Sequence, residues 1–135
     1  MEKRVREIMS TEVRTLGRND NLGLARDIMR QERIRHFPVL DGARVVGVVS
    51  QRDLFHATLG SLMNYGERSE QAYLASVSVK EVMEEPAVTI SPEASVKEAA
   101  ALMVQRRIGC LPVVEKDRLT GIVTETDILR QVAGG

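Results

Sequence analysis

"GIVTETDILR", residues 121–130, repeats the layout of "GVVSQRDLFH", residues 47–56. In each, an apolar run ends at a hydroxyl side chain, a carboxylate stands three residues further on, and a helix-like run begins. The two stretches lie 74 residues apart, and working outward from them widens the match. Residues 5–55 superpose on 79–129 without a gap, and fifteen of the 51 pairs are identical. Met9 falls on Met83, Arg33 on Arg107, Pro38 on Pro112, Gly47 on Gly121 and Asp53 on Asp127. Gapless self-similarity of this length marks an internal duplication.

Each copy reads as strand, helix, strand, strand, helix, a mixed α/β order. Ser95 with Glu98 has the spacing of a capping box at the start of a helix, and Val96, Ala99, Ala100, Met103 and Arg107 follow on one face. Asn21 opens the matching helix, with Leu22, Ala25 and Met29 on its apolar face. Two apolar strands come next, Phe37–Leu40 and Val45–Val49 in the first copy. Asp41-Gly42 is a strong hairpin signal between them, and "EKDR" at 115–118 is a weaker one of equal length. The final helix starts at Ser50 or Thr124. A half of this size buries little surface alone. The expected fold is therefore two β-α-β-β-α repeats packed through their sheets with pseudo-twofold symmetry, equivalent residues lining a shared cleft. The boundaries are 1–60 for repeat 1, 61–78 for a helical connector and 79–135 for repeat 2. The stretch 56–78, which breaks the repeat and is expected to span the halves, carries Leu59, Leu62, Met63, Tyr65, Tyr73 and Leu74, with a break expected at Gly66 and a capping pair of Ser78 with Glu81 at the entrance to repeat 2.

Composition narrows the function. Nineteen basic residues balance nineteen acidic ones, aromatics are 3% and Trp is absent. Neither a basic field nor stacking platforms favour nucleic acid. No apolar run approaches the roughly 20 residues of a membrane span, and the N-terminus lacks a signal-peptide core. Cys110 is the sole cysteine, so no internal disulfide forms and a cytoplasmic setting is expected. Two separated histidines, His36 and His56, and one cysteine lack the spacing of a metal site. No nucleophile, base and orienting group assemble, so the chain is not read as an enzyme.

The repeated corner has two readings. Ser50 with Asp53, and Thr124 with Asp127, are capping-box variants, and a carboxylate suits the positive end of a helix. The same carboxylate, an acceptor with two oxygens, also matches the paired hydroxyls of a ribose. Thr126 adds a hydroxyl that capping does not require, whereas the first copy has Arg52 there.

The duplicated series "RIRHFPVL" and "RIGCLPVV", a turn, then "GVVSQRD" and "GIVTETD" resembles the tandem cystathionine beta-synthase (CBS) domain pair, or Bateman module, over residues 5–133. The resemblance implies a stand-alone regulatory module that needs no cofactor for chemistry. It implies an adenosyl ligand such as AMP, ADP, ATP, NAD or S-adenosylmethionine as regulator, a homodimer of modules, and an unidentified protein target. By position it assigns ribose binding to Asp127 with Thr124 and Thr126, and in a second site to Asp53 with Ser50, where Arg52 departs from the pattern. Arg33 and Arg107 match the family's phosphate-facing basic residues. For the adenine of the Asp127 site it points to Met9, Ser10, Thr11, Ile34, Arg35 and His36. For that of the Asp53 site it points to Met83, Glu84, Glu85, Pro86, Ile108, Gly109 and Cys110. Glu84 and Glu85, if they face the cleft, would repel a phosphate, with Arg52 as an offset, so the Asp53 site is either empty or takes a less anionic ligand, and one occupied site per chain, at Asp127, is expected. The alternative is a ligand-free oligomerisation or protein-interaction module whose Ser/Thr–Asp pairs are only helix caps.

Overall fold

The computed structural model describes residues 2–65 and 67–134, with side chains described for 2–59 and 70–134. Gly66 and the side chains of Leu62, Met63 and Tyr65 lie outside the described residues. The elements are α1 (Val5–Ile8), β1 (Leu16–Gly17), α2 (Leu22–Glu32), β2 (His36–Asp41), β3 (Arg44–Ser50), α3 (Gln51–Tyr65) and α4 (Glu67–Ser76). A 3-10 turn at Val79–Glu81 leads to α5 (Val96–Arg106), β4 (Cys110–Glu115), β5 (Arg118–Thr124) and α6 (Glu125–Val132). Among the described residues no helix is long and apolar enough to cross a membrane.

Local chemistry sets the helix starts where the caps predict them. Asn21 Oδ1 accepts from Leu24 N at 2.9 Å, and Ser95 Oγ accepts from Glu98 N at 3.0 Å. Ser78 N donates to Glu81 at 2.7 Å, closing the capping box of the 3-10 turn. The same box recurs at the start of α1, where Arg4 N donates to Glu7 at 2.6 Å. Arg is not a capping residue by type, so that helix start carried no signal.

The strands form two sheets, ordered β1-β2-β3 and β4-β5. β1 runs parallel to β2, with Leu16 opposite Val39. In the second copy the equivalent pairing shrinks to a parallel bridge between Ile90 and Val113. β4 and β5 are antiparallel, with a register shift at Val113/Val114. The hairpin signal at Asp41-Gly42 is displaced by one residue. Asp41 ends β2, and Gly42 takes the first loop position at φ 63°. In the second copy Lys116 and Asp117 both adopt positive φ, 51° and 63°, without a glycine.

Two compact units result, and they divide the chain differently from the repeats. One holds Met1–Val13, Ala43–Val45 and Val88–Gly135; the other holds Arg14–Gly42 and Val46–Ala87. Backbone hydrogen bonds explain the division. Val5 N donates to Ala94 O, Arg6 N to Pro92 O, and Val96 N to Lys3 O. Shifted by 74 residues, Val79 N donates to Asp20 O, Lys80 N to Arg18 O, and Leu22 N to Val77 O. The leading segment of each repeat is thus built into the body of the other.

Each unit has its own aliphatic core. The first is centred on Val5, Ala99, Met103, Leu111, Val113 and Val123. The second gathers Leu22, Ala25, Met29, Phe37, Val39, Val49 and Leu54, with Leu74 of α4 fully buried among them. The connector's second helix therefore belongs to this unit. Arg26 of α2 pairs with Glu70 of α4 at 3.6 Å, both side chains more than four-fifths buried.

Candidate functional site

The strand-to-helix corners form as the sequence indicates. Thr124 precedes the first turn of α6, and its backbone N–H donates to Asp127 Oδ2 at 2.8 Å. The Thr124 hydroxyl donates to the same oxygen at 3.2 Å. At the other corner Ser50 N donates to Asp53 Oδ2 at 2.8 Å, and Asp53 N donates to Ser50 Oγ at 3.1 Å. Both carboxylates are helix caps, as the structural reading of the spacing anticipates, and among the described residues both caps use Oδ2. Asp53 and Asp127 are half-buried, while Arg52 and Thr126 beside them are exposed.

A second repeated contact finishes each corner. Gln51 N donates to Arg35 O at 2.8 Å, and Glu125 N donates to Gly109 O at 3.0 Å. The segment before each long strand therefore touches the helix start that follows that hairpin. Cys110 lies opposite Thr124 in the β4–β5 register and is buried.

The exchanged leading segments pair beside the corners. Ser10 pairs with Ile122 of β5, and Glu84 pairs with Val48 of β3, each two residues before the corner hydroxyl. Glycine makes this approach feasible. A Cβ on Gly121 would stand 2.7 Å from Met9 Sδ and 2.8 Å from Ser10 O. One on Gly47 would stand 2.7 Å from Met83 Sδ and 2.9 Å from Glu84 O. These glycines let the leading segments lie against β5 and β3. Their identity across the repeat was the available signal, and sequence reasoning gave them no role.

Other candidates fall as follows. Met9, Ser10 and Thr11 belong to the unit that holds Asp127, with Arg107, Ile108, Gly109 and Cys110. Met83, Glu84, Glu85 and Pro86 belong to the unit that holds Asp53, with Arg33, Ile34, Arg35 and His36. Arg33 and Arg107 end α2 and α5 in the left-handed conformation, each at φ 55°, with exposed side chains. Both stand shortly before the strand that follows their helix, at a conformational cost that glycine would avoid.

The corners differ in charge. Ser10, neutral, stands where the other corner has Glu84. Burial holds the Glu84 carboxyl above the ordinary glutamate range; the Asp53 carboxylate adds to this, and the Arg52 guanidinium offsets it least.

A family model described as "CBS domain" matches residues 5–60 and 79–134. The chain is 33% identical over 127 residues to inosine-5'-monophosphate dehydrogenase of Korarchaeum cryptofilum, covering 93% of this chain and 24% of that protein. It spans 24%, 32% and 40% of the length of three curated relatives it matches. Among solved structures, the CBS domain pair of protein MJ0100 in complex with 5'-methylthioadenosine and S-adenosyl-L-methionine is similar at 26% identity and TM-score 0.82, over 99% of this chain and 98% of that one. Protein MJ1225 of Methanocaldococcus jannaschii, proposed as an archaeal homologue of γ-AMPK, is similar at 27% identity and TM-score 0.83, over 97% of this chain and 48% of that one.

Proposed function

The chain belongs to the CBS domain family, and from that premise we propose that it is a regulatory module that binds an adenine nucleotide, AMP or a related adenosyl ligand, at the Asp127 corner. The observation that carries this reading is the economy of the cap. Asp127 spends one oxygen on Thr124 and has a second to offer a ribose hydroxyl. Thr126 and Ser10 flank it without adding negative charge. Arg107, at the end of α5 in the same unit, is the cation that the family pattern gives to a phosphate. The regulated target in this reading is a separate protein. Signalling requires that the ligand prefer one arrangement of the module, since equal affinity for two states shifts neither. A homodimer of modules is part of the proposal. Phe55 and Leu129, at equivalent positions on α3 and α6, are 61% and 64% exposed and supply matching apolar faces for it.

Calorimetry with AMP on Asp127→Asn tests the site. Asn retains an acceptor for Thr124 N, so thermal stability is expected to stay close to the parent while AMP affinity falls about tenfold. Unchanged affinity refutes the assignment. The observed capping also favours a second reading, a ligand-free interaction module. A thermal-shift panel of AMP, ADP, ATP, NAD and S-adenosylmethionine separates the two, because any ligand bound only by the folded state must raise the melting temperature.

A further inference from the structure

We infer that Met9 and Met83 are a pair of oxidation-sensitive latches, and that a peroxide, by converting their thioethers to sulfoxides, releases the two leading segments from β5 and β3. The four methionines with described side chains fall into two classes. Met29 and Met103 lie in the cores, 5% and 7% exposed. Met9 and Met83 are half-buried and pack at the edges of those cores, so an oxidant in water reaches them first. Each fills the space of a missing side chain within its own unit. A Cβ on Gly121 would stand 2.7 Å from Met9 Sδ and 3.0 Å from its Cγ. One on Gly47 would stand 2.7 Å from Met83 Sδ and 3.1 Å from its Cγ. The next residue along makes the strand pairing. Ser10 and Ile122 exchange two backbone hydrogen bonds, and so do Glu84 and Val48, at 2.9 and 3.1 Å. The sulfur is thus the side-chain contact beside the only two backbone bonds of each bridge.

Hydrogen peroxide suffices as the oxidant. A sulfur lone pair attacks one peroxide oxygen, and an S–O bond forms as the O–O bond breaks. The departing hydroxide takes the proton left on the transferred oxygen and becomes water. Sulfur has lost two electrons and the peroxide has gained them. The product is polar where the thioether was apolar. The Ser10 carbonyl oxygen lies 2.8 Å, and that of Glu84 2.9 Å, from the same point above the glycine. Turned toward the strand, the new oxygen meets that carbonyl, acceptor against acceptor. Turned toward water, it lifts the side chain off the glycine. Either way the packing beside the bridge is lost. Methionine sulfoxide reductases, one for each epimer, restore the thioether, drawing two electrons from thiols and releasing the oxygen as water. The latch is therefore reversible, and it acts with or without a bound ligand.

The test treats the full chain with hydrogen peroxide. Peptide mass spectrometry reads each methionine, and backbone amide exchange reads Ser10, Ile122, Val48 and Glu84. Met9 and Met83 are expected to gain oxygen at least about tenfold faster than Met29 and Met103, which react only when the cores open. Exchange at the four amides should then rise at least about tenfold, and return to the parent rate after treatment with both reductases. Met9→Leu keeps the volume and cannot be oxidised, so it should protect Ser10 and Ile122 while Val48 and Glu84 still respond. Adding Met83→Leu should protect all four. A double variant that still responds to peroxide places the switch elsewhere, Cys110 included. Sulfoxide at both residues with exchange unchanged at the four amides would show that the thioethers do not hold the segments. Equal oxidation of all four methionines overturns the selectivity on which the latch depends.

Discussion

Ser10 and Ile122 exchange two backbone hydrogen bonds, each 2.9 Å, across a gap kept open by the missing side chain of Gly121. Gly121→Ala places a methyl against Met9 Sδ and the Ser10 carbonyl. The thioether can swing aside, but the carbonyl is backbone and cannot without breaking the pairing. A loss of about 1–3 kcal/mol is expected, the usual range for overpacking, read as a lower urea midpoint. Gly47→Ala should behave alike through Met83 and Glu84. An unchanged midpoint would mean that the leading segment is not held against β5.

Arg107 sits at φ 55°, a conformation that costs a non-glycine residue about 1–2 kcal/mol. Arg107→Gly removes that cost but enlarges the unfolded ensemble, leaving a net gain of about 0.5 kcal/mol. The same change deletes the proposed phosphate contact. Stability and AMP affinity should therefore move in opposite directions, measured by thermal unfolding and calorimetry on one sample. Affinity that is unaltered in the more stable variant removes Arg107 from the site.

Arg26 and Glu70 fasten α4 to α2, and among the described residues Arg26 Nε has no hydrogen-bond partner. Glu70→Ala leaves the mostly buried guanidinium with the more exposed Asp27 carboxylate, 3.9 Å from its Nε, and is expected to cost about 3 kcal/mol. Replacing both, as Arg26→Met with Glu70→Leu, should recover most of the loss, because the apolar pair needs no counter-charge. Equal destabilisation in the single and double variants would argue against the ion pair as the cause.

The Glu84 carboxyl titrates above the ordinary glutamate range. The folded chain therefore holds this proton more tightly than the unfolded chain does. The resulting stability is complete below the ordinary glutamate value and is lost as pH rises through the raised one. Glu84→Gln, neutral at every pH, should melt higher than the parent near pH 7, and the difference should close near pH 4, about the ordinary glutamate value. A constant difference across that window would show that Asp53 and burial do not act on Glu84.

The duplication, the helix starts and the corner carboxylates were legible because each rests on residue type at fixed spacing. Asn21, Ser95, Ser50 and Thr124 are strong capping residues in place. The exchange of leading segments was not legible as an architecture. Val5 and Val79 are apolar in either arrangement, and periodicity does not say whose core buries them. The hairpin turns show the limit of dipeptide signals. Asp41-Gly42 misplaces the loop by one residue, and Lys116-Asp117 adopts positive φ without the usual residues. The family resemblance alone matched Arg33 and Arg107 to phosphate-facing residues, and their left-handed backbone had no marker in the sequence.

The traded openings have an evolutionary corollary. A lone ancestral copy would have carried a short opening stretch with no groove of its own to fill, and an empty groove along its last strand. Two such molecules complete one another by swapping those tails. Gene fusion would then have converted a reversible partnership into a permanent one, with mutation free afterwards to give each half a different chemistry.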